Sequence, residues 1–273
     1  MNRNIRLISI DFDGTLLDDS SRLTDYTKEV LRKIAEKGVI IYPNTGRGIE
    51  VLYSLIQEMP FVEYFSAMNG AMIYKGEEVI SRNPLPRDTA VKTAEVIEDL
   101  GLRYFVVGDG FYFDEDGMRK MRKGAVYRPF LEEDTAYIRQ YGLLSFIEKS
   151  SHDICKIVAL FEDNSQREIL KERLSVIEGI DYRSSHTFNL EINSSRAGKD
   201  FAVDFLMDLL DVKEEEVLSI GDNDNDIPMM KTRGVKVALK NGTEGLKKIC
   251  DHITDLDNGH DGAADFLKHY FDI

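Results

Sequence analysis

The strongest constraint on the fold is a series of short β-branched strands, each stopping abruptly at a polar residue and each followed by a helix with one apolar face. The first strand runs from Ile5 to Ile10 and ends at Asp11. After a loop through Gly14, Thr24 is placed to cap an amphipathic helix that carries Val30, Leu31 and Ile34 on one side and stops at Gly38. A second strand, Val39 to Tyr42, ends at Asn44-Thr45-Gly46-Arg47, and a helix from Ile49 to Gln57 leads to a third strand, Tyr64 to Met68. This βαβαβ order predicts an α/β domain built on a parallel sheet. The pattern returns late in the chain, with a helix over Lys199 to Leu210, a strand over Val217 to Ile220, an acidic loop from Gly221 to Asp226, a strand over Val235 to Ala238 and a last helix from Gly262.

Between these halves the texture changes. Asn83-Pro84-Leu85-Pro86 reads as a linker. Beyond it the pattern predicts helices over Arg87 to Leu100 and Gln166 to Ile177, and strands at Leu102 to Val107, Gly110 to Phe113, Ile154 to Phe161 and Phe188 to Ile192. The chain therefore divides into an α/β core over 1–83 and 191–273 and an inserted α+β unit over 84–190, large enough to be a domain in its own right.

Bulk properties narrow the function classes. No apolar run approaches the roughly 20 residues that cross a bilayer, and the N-terminal apolar stretch passes straight into acidic residues, unlike a signal peptide. The expectation is a cytoplasmic protein with no membrane partner. Cys155 and Cys250 form no CxxC pair, so neither zinc nor a disulfide framework is suggested. The formal net charge of -14 argues against nucleic acid as a partner and means that any phosphate site needs local cations.

In an open parallel sheet, ligands bind outside the carboxyl ends of the strands. Asp11, Asp13, Thr45, Lys199 and Asp222 all fall at that edge. Asp11, held directly after a buried strand, suits an attacking carboxylate. Asp13 is placed to protonate a leaving alkoxide and then to deprotonate a water. Carboxylates this close repel each other and an incoming phosphate unless a hard cation lies among them. Magnesium (Mg2+), with Asp11, Asp13 and Asp222 as ligands, suits that task. Thr45 and Lys199 supply a hydroxyl and a positive charge for phosphoryl oxygens.

Each element has a plainer reading. Asp11 to Thr15 also fits an acidic turn, Thr45 an N-cap, Lys199 a solvated helix start, and Arg47 either a phosphate contact or a surface ion pair. Gly221-Asp222-Asn223-Asp224-Asn225-Asp226 has some likeness to a calcium loop but lacks its Gly and its Glu at the twelfth place. The five histidines make no zinc-hydrolase spacing, and neither a Gly-x-Ser-x-Gly elbow nor a P-loop is present. Tyr182, Arg183 and His186 in the insert fit either substrate contacts or structural roles.

Taken together, Asp11-Phe12-Asp13-Gly14-Thr15-Leu16-Leu17, Thr45-Gly46-Arg47, Lys199 and Gly221 to Asp226 resemble, in order, the four motifs of the haloacid dehalogenase superfamily. Asn69-Gly70-Ala71 and Asp226-Ile227-Pro228-Met229-Met230 bring the resemblance to its Cof-type phosphatases, whose type IIB cap is carried where this chain has its insert. The resemblance implies a Rossmann-like core with an inserted α+β cap, Mg2+, and an aspartyl-phosphate intermediate on a small phosphorylated metabolite, a sugar phosphate being the expected kind. By position, Asp11 would be nucleophile, Asp13 general acid/base, and Thr45, Gly46, Arg47, Lys199 and Asn225 phosphate or substrate contacts. Asp11, Asp13 and Asp222 would be metal residues, with Asp226 in the outer shell. Lys199 sits in Ala197-Gly198-Lys199-Asp200, where the family more often has a small or hydroxylated residue before Lys and Gly after it. A second Asp at position 13 separates the chain from dehalogenases and P-type ATPases, leaving a phosphatase, a phosphomutase or a non-catalytic sensor on the same fold.

Overall fold

The structure of the protein, a computed structural model, describes residues 4–108, 111–113, 138–184, 188–231 and 234–273. The chain opens with β1 (Leu7–Ile10), α1 (Asp25–Glu36), β2 (Ile40–Pro43), α2 (Ile49–Gln57), β3 (Tyr64–Ala67), β4 (Met72–Lys75) and β5 (Glu78–Arg82). It continues through α3 (Arg87–Asp99), β6 (Arg103–Gly108), β7 (Phe111–Phe113), α4 (Leu143–Lys149), β8 (Ile154–Leu160), α5 (Asn164–Leu174), β9 (Ile180–Arg183) and β10 (Asn189–Ser194). It closes with α6 (Lys199–Leu210), β11 (Val217–Gly221), α7 (Ile227–Lys231), β12 (Val235–Ala238), α8 (Glu244–Lys247), β13 (His252–Ile253) and α9 (Gly262–Phe271).

The core sheet has the order β13-β12-β11-β1-β2, with every pairing parallel. All four residues of β1 are buried, as a strand covered on both faces requires. Its neighbours come from opposite ends of the chain, since Leu7 lies opposite both Ile40 and Val217. Thr24 accepts a hydrogen bond from the Thr27 N–H at 3.0 Å, capping α1, whose buried Val30, Leu31 and Ile34 form the expected apolar face.

The third strand departs from the expected βαβαβ pattern. β3 touches β2 through a single parallel bridge, Asn44 to Ser66, and otherwise pairs antiparallel with β4 in a separate sheet of order β3-β4-β5. The reversal is local in origin. Met68, Asn69 and Gly70 adopt φ of 53°, 57° and 84°, three consecutive left-handed residues that fold the chain back on itself.

The insert forms a second five-stranded sheet, β7-β6-β8-β10-β9, with antiparallel pairing throughout. Its own core joins Ala90, Ala94 and Ile97 of α3, Phe146 and Ile147 of α4, and Leu170 and Leu174 of α5 to Val106, Ile157, Ala159, Leu190 and Ile192 of the sheet. The compact units are Met1–Gly46, Tyr53–Ser81 and Gly198–Ile273 on one side, and Arg47–Leu52 with Arg82–Ala197 on the other. The insert therefore runs past residue 190, because β10 is hydrogen-bonded to β8 and β9 along its length. Gly110 and His186 lie outside the described residues. Among the described residues, no helix is long and apolar enough to cross a membrane.

Gly70 closes the left-handed turn where it meets the start of α6. A Cβ there would run into the Gly198 carbonyl oxygen, and φ is 84°. Gly70→Ala should lower unfolding stability by more than about 2 kcal/mol, measured by urea denaturation followed by circular dichroism.

Candidate active site

Four side chains from three places in the sequence converge at the carboxyl end of the core sheet. Asp11 follows β1 in an extended conformation, and its N–H donates to the Ile220 carbonyl at 3.1 Å, continuing the β1–β11 ladder one residue beyond the strand. Asp222 follows β11, Asp226 closes the tight turn Asp224–Asp226, and Lys199 is the first residue of α6. The Lys199 ammonium lies 2.6 Å from Asp11 Oδ1 and 2.6 Å from Asp226 Oδ1. Carboxylate oxygens of Asp11, Asp222 and Asp226 all lie within 4.8 Å of one another.

The surroundings of each group differ. Asp226 is fully buried, and its second oxygen accepts from the N–H groups of Asp222 and Asn223, each at 3.0 Å. Asp222 is half-buried and accepts from the Thr15 hydroxyl at 2.9 Å. Burial pushes the Asp11 carboxyl well above the ordinary range, Asp226 and Asp222 push it further, and Lys199 opposes them. Burial, aided by Asp226, lifts Asp222 to about 7, with the Thr15 hydrogen bond pulling the other way. For Lys199, burial works against the charged form, but Asp11 and Asp226 outweigh it and keep the ammonium charged.

Three carboxylates and one ammonium leave this cluster with two excess negative charges when all are ionised. An all-oxygen donor set with that deficit suits a hard divalent cation. Both oxygens of Asp226 already serve Lys199 and two N–H groups, so Asp11 and Asp222 are the carboxylates best able to hold such an ion directly.

The remaining sequence-derived candidates fall as follows. Asp13 is exposed and stands outside the three-carboxylate group, because the backbone (ψ 123°) carries it to the surface just before the left-handed Gly14. Thr45 is buried at the end of β2, its N–H donating to Ser66 O at 3.4 Å and its carbonyl accepting from the Asn69 N–H at 2.9 Å. Gly46 has no room for a side chain without crowding Asn69 Oδ1 at 3.0 Å. Arg47 is half-buried and groups with the second unit. Asn225 is buried in the acidic turn, and its Oδ1 has no hydrogen-bond partner among the described residues. In the insert, Tyr182 and Arg183 lie half-buried on β9, where Arg183 pairs with Asp181.

Two participants were not singled out from sequence. Thr15, which orients Asp222, sits inside the Asp11 segment and could have been found as a hydroxyl in reach of a carboxylate. Asn44, fully buried beside Thr45, is betrayed only by being an amide at the end of an apolar strand.

A parallel α/β core carrying an acidic, lysine-bridged centre at the carboxyl ends of its strands, interrupted by an α+β insert, is the architecture of a Rossmann-like hydrolase with a cap. The haloacid dehalogenase-like hydrolase family matches residues 8–267, and the chain belongs to it. The Bacillus subtilis protein YcsE, a 5-amino-6-(5-phospho-D-ribitylamino)uracil phosphatase, is 26% identical over 268 residues, covering 98% of this chain and 96% of its own. The solved structure of the phosphatase BT1666 from Bacteroides thetaiotaomicron superposes with a TM-score of 0.79 at 22% identity, over 98% of this chain and 96% of that one. The subclass IIB sugar phosphatase BT4131 gives 0.80 at 21% identity, over 98% and 100%.

Gly14 adopts φ 73°, and a Cβ there would collide with the Asp222 carboxylate. Gly14→Ala should therefore weaken divalent-cation affinity by about 10- to 100-fold, read by isothermal titration calorimetry.

Proposed function

We propose that this chain is a magnesium-dependent phosphatase that hydrolyses phosphate monoesters of small metabolites, sugar phosphates foremost, through an aspartyl-phosphate at Asp11. The observation that carries this reading is the buried Lys199 ammonium held 2.6 Å from both Asp11 and Asp226 beside Asp222. Such a centre has oxygen ligands for a divalent ion, a fixed cation for phosphoryl oxygens and a carboxylate locked at a strand end. The sugar-phosphate preference draws on the likeness to the sugar phosphatase BT4131, and the wider choice of small phosphorylated metabolites on YcsE, a 5-amino-6-(5-phospho-D-ribitylamino)uracil phosphatase.

In this mechanism Asp11 and Asp222 would hold Mg2+, while Asp226 fixes Lys199 and the turn beside Asp222. The chemistry such an ion would supply when bound there is charge neutralisation for phosphate and carboxylates in one small space. Asp11 Oδ2 attacks phosphorus, and the ester oxygen departs with a proton from Asp13, whose exposed position suits exchange with solvent and substrate. Asp13 then removes a proton from a water that attacks the acyl phosphate, releasing inorganic phosphate and regenerating Asp11. Lys199 and the Thr45 hydroxyl steady the phosphoryl oxygens, and Gly46, Arg47 and Asn225 complete the substrate-binding set. Selection among substrates is assigned to the inserted unit, as a cap.

Asp11→Asn should lower turnover of p-nitrophenyl phosphate in Mg2+ by at least about 1,000-fold, and retained activity would overturn the nucleophile assignment. Chelation with EDTA should abolish phosphate release, and added Mg2+ should restore it. Appearance of an isomerised sugar phosphate in place of free phosphate would identify a mutase.

A further inference from the structure

Asn44 is wholly buried and makes more directed contacts than a strand-end residue needs. Its backbone N–H donates to the Ile10 carbonyl at 2.9 Å, holding β2 to β1. Its side-chain oxygen accepts from the Ser66 hydroxyl of β3 at 2.6 Å. The amide nitrogen donates to the Lys199 carbonyl at 2.8 Å and to the Ser9 hydroxyl at 3.3 Å, with the Met229 sulfur at 3.9 Å. One side chain thus ties together β1, β2, β3 and the first residue of α6. It is also joined directly to Thr45, whose own main chain is pinned to Ser66 and Asn69.

A buried amide costs free energy unless every polar group is satisfied, and an apolar side chain would fill the same space more cheaply. What the amide adds is direction. The Lys199 carbonyl it grips belongs to the residue whose ammonium sits between Asp11 and Asp226. Displacing the start of α6 by about 1 Å would carry that ammonium out of bonding distance, and errors of this size can cost about 100-fold in rate.

We infer that Asn44 is a positioning residue, which sets the Lys199 ammonium against Asp11 by holding the Lys199 carbonyl and the end of β2 in one hydrogen-bonded frame. Its kinetic consequence rests on the phosphatase reading above, but its geometric one does not. Asn44→Ala should lower kcat for p-nitrophenyl phosphate about 10- to 100-fold, with Mg2+ affinity, which Asp11 and Asp222 set, changed less than about 3-fold.

The decisive kinetic test is a double-mutant cycle with Lys199→Met. Asn44→Ala should cost little further activity in that background, because the group it positions is gone. Multiplicative losses, or an Asn44→Ala enzyme with unchanged kcat, would overturn the inference. A crystal structure of Asn44→Ala decides the geometry without reference to activity. Lys199 Nζ moved beyond hydrogen-bond distance of Asp11 Oδ1 supports the assignment, and an unmoved ammonium refutes it. If Asn44→Ala does not fold, Asn44→Asp keeps the shape and the bond from Ser66 while turning an acceptor toward the Lys199 carbonyl, and the same measurements apply. A wild-type protein that releases no phosphate would sink the phosphatase reading and leave the crystallographic comparison to settle Asn44.

Discussion

The centre of this protein depends on one ammonium group in a place where an ammonium group alone would not survive. Lys199 is almost completely buried, and removing its charge from water is compensated by two carboxylates at 2.6 Å. Those carboxylates depend on it in turn, since Asp11 is itself buried among like charges. Neither side is stable without the other. The interaction also fixes the fold around it, because Asp11 ends β1, Lys199 begins α6 and Asp226 closes the turn after β11.

A chain with a net charge of -14 is an unpromising partner for an anionic substrate. The structure resolves this locally. Far-off surface charge is screened over about 10 Å at ordinary ionic strength, whereas a buried ammonium acts at full strength on groups it touches. The acidic turn Asp224–Asp226 contributes to the same end in another way. It sets Asp226 to accept from the N–H groups of Asp222 and Asn223 just before it, so that this carboxylate is satisfied by the protein while its neighbours Asp11 and Asp222 keep oxygens within 4.8 Å of it and of each other.

Much of this was legible in the sequence, and what was not has identifiable causes. Strand ends read well because β-branched runs stop at polar residues; Lys199–Leu210 and Ile49–Gln57 were bounded correctly from period and punctuation alone. β3 read as another parallel strand because its composition is that of one. Only the three left-handed residues after it send the chain into an antiparallel hairpin; Asn69-Gly70 is a turn signal in its own right, whereas Met68 announces no positive φ. β13, with two residues, is too short for a period. In the site, Asp11, Lys199 and Asp222 were identifiable from order and spacing. That Asp226 joins the carboxylate cluster while Asp13 stands apart depends on backbone direction over two or three residues, which spacing does not encode. Asn44 gave only a faint signal, an amide at the end of an apolar strand, because its partners Ser9, Ser66 and Lys199 lie away from it in sequence.

The central place of β1 has a consequence for biosynthesis. Its partner on one side, β2, follows within some thirty residues, but its partner on the other, β11, starts at Val217. Until then the nascent chain carries an apolar strand with one open edge, the kind of surface that pairs with strangers. The insert, with a core of its own, can collapse while that edge waits. The centre therefore cannot form before Asp226 has been made, and no truncated product that ends earlier carries all four of its side chains.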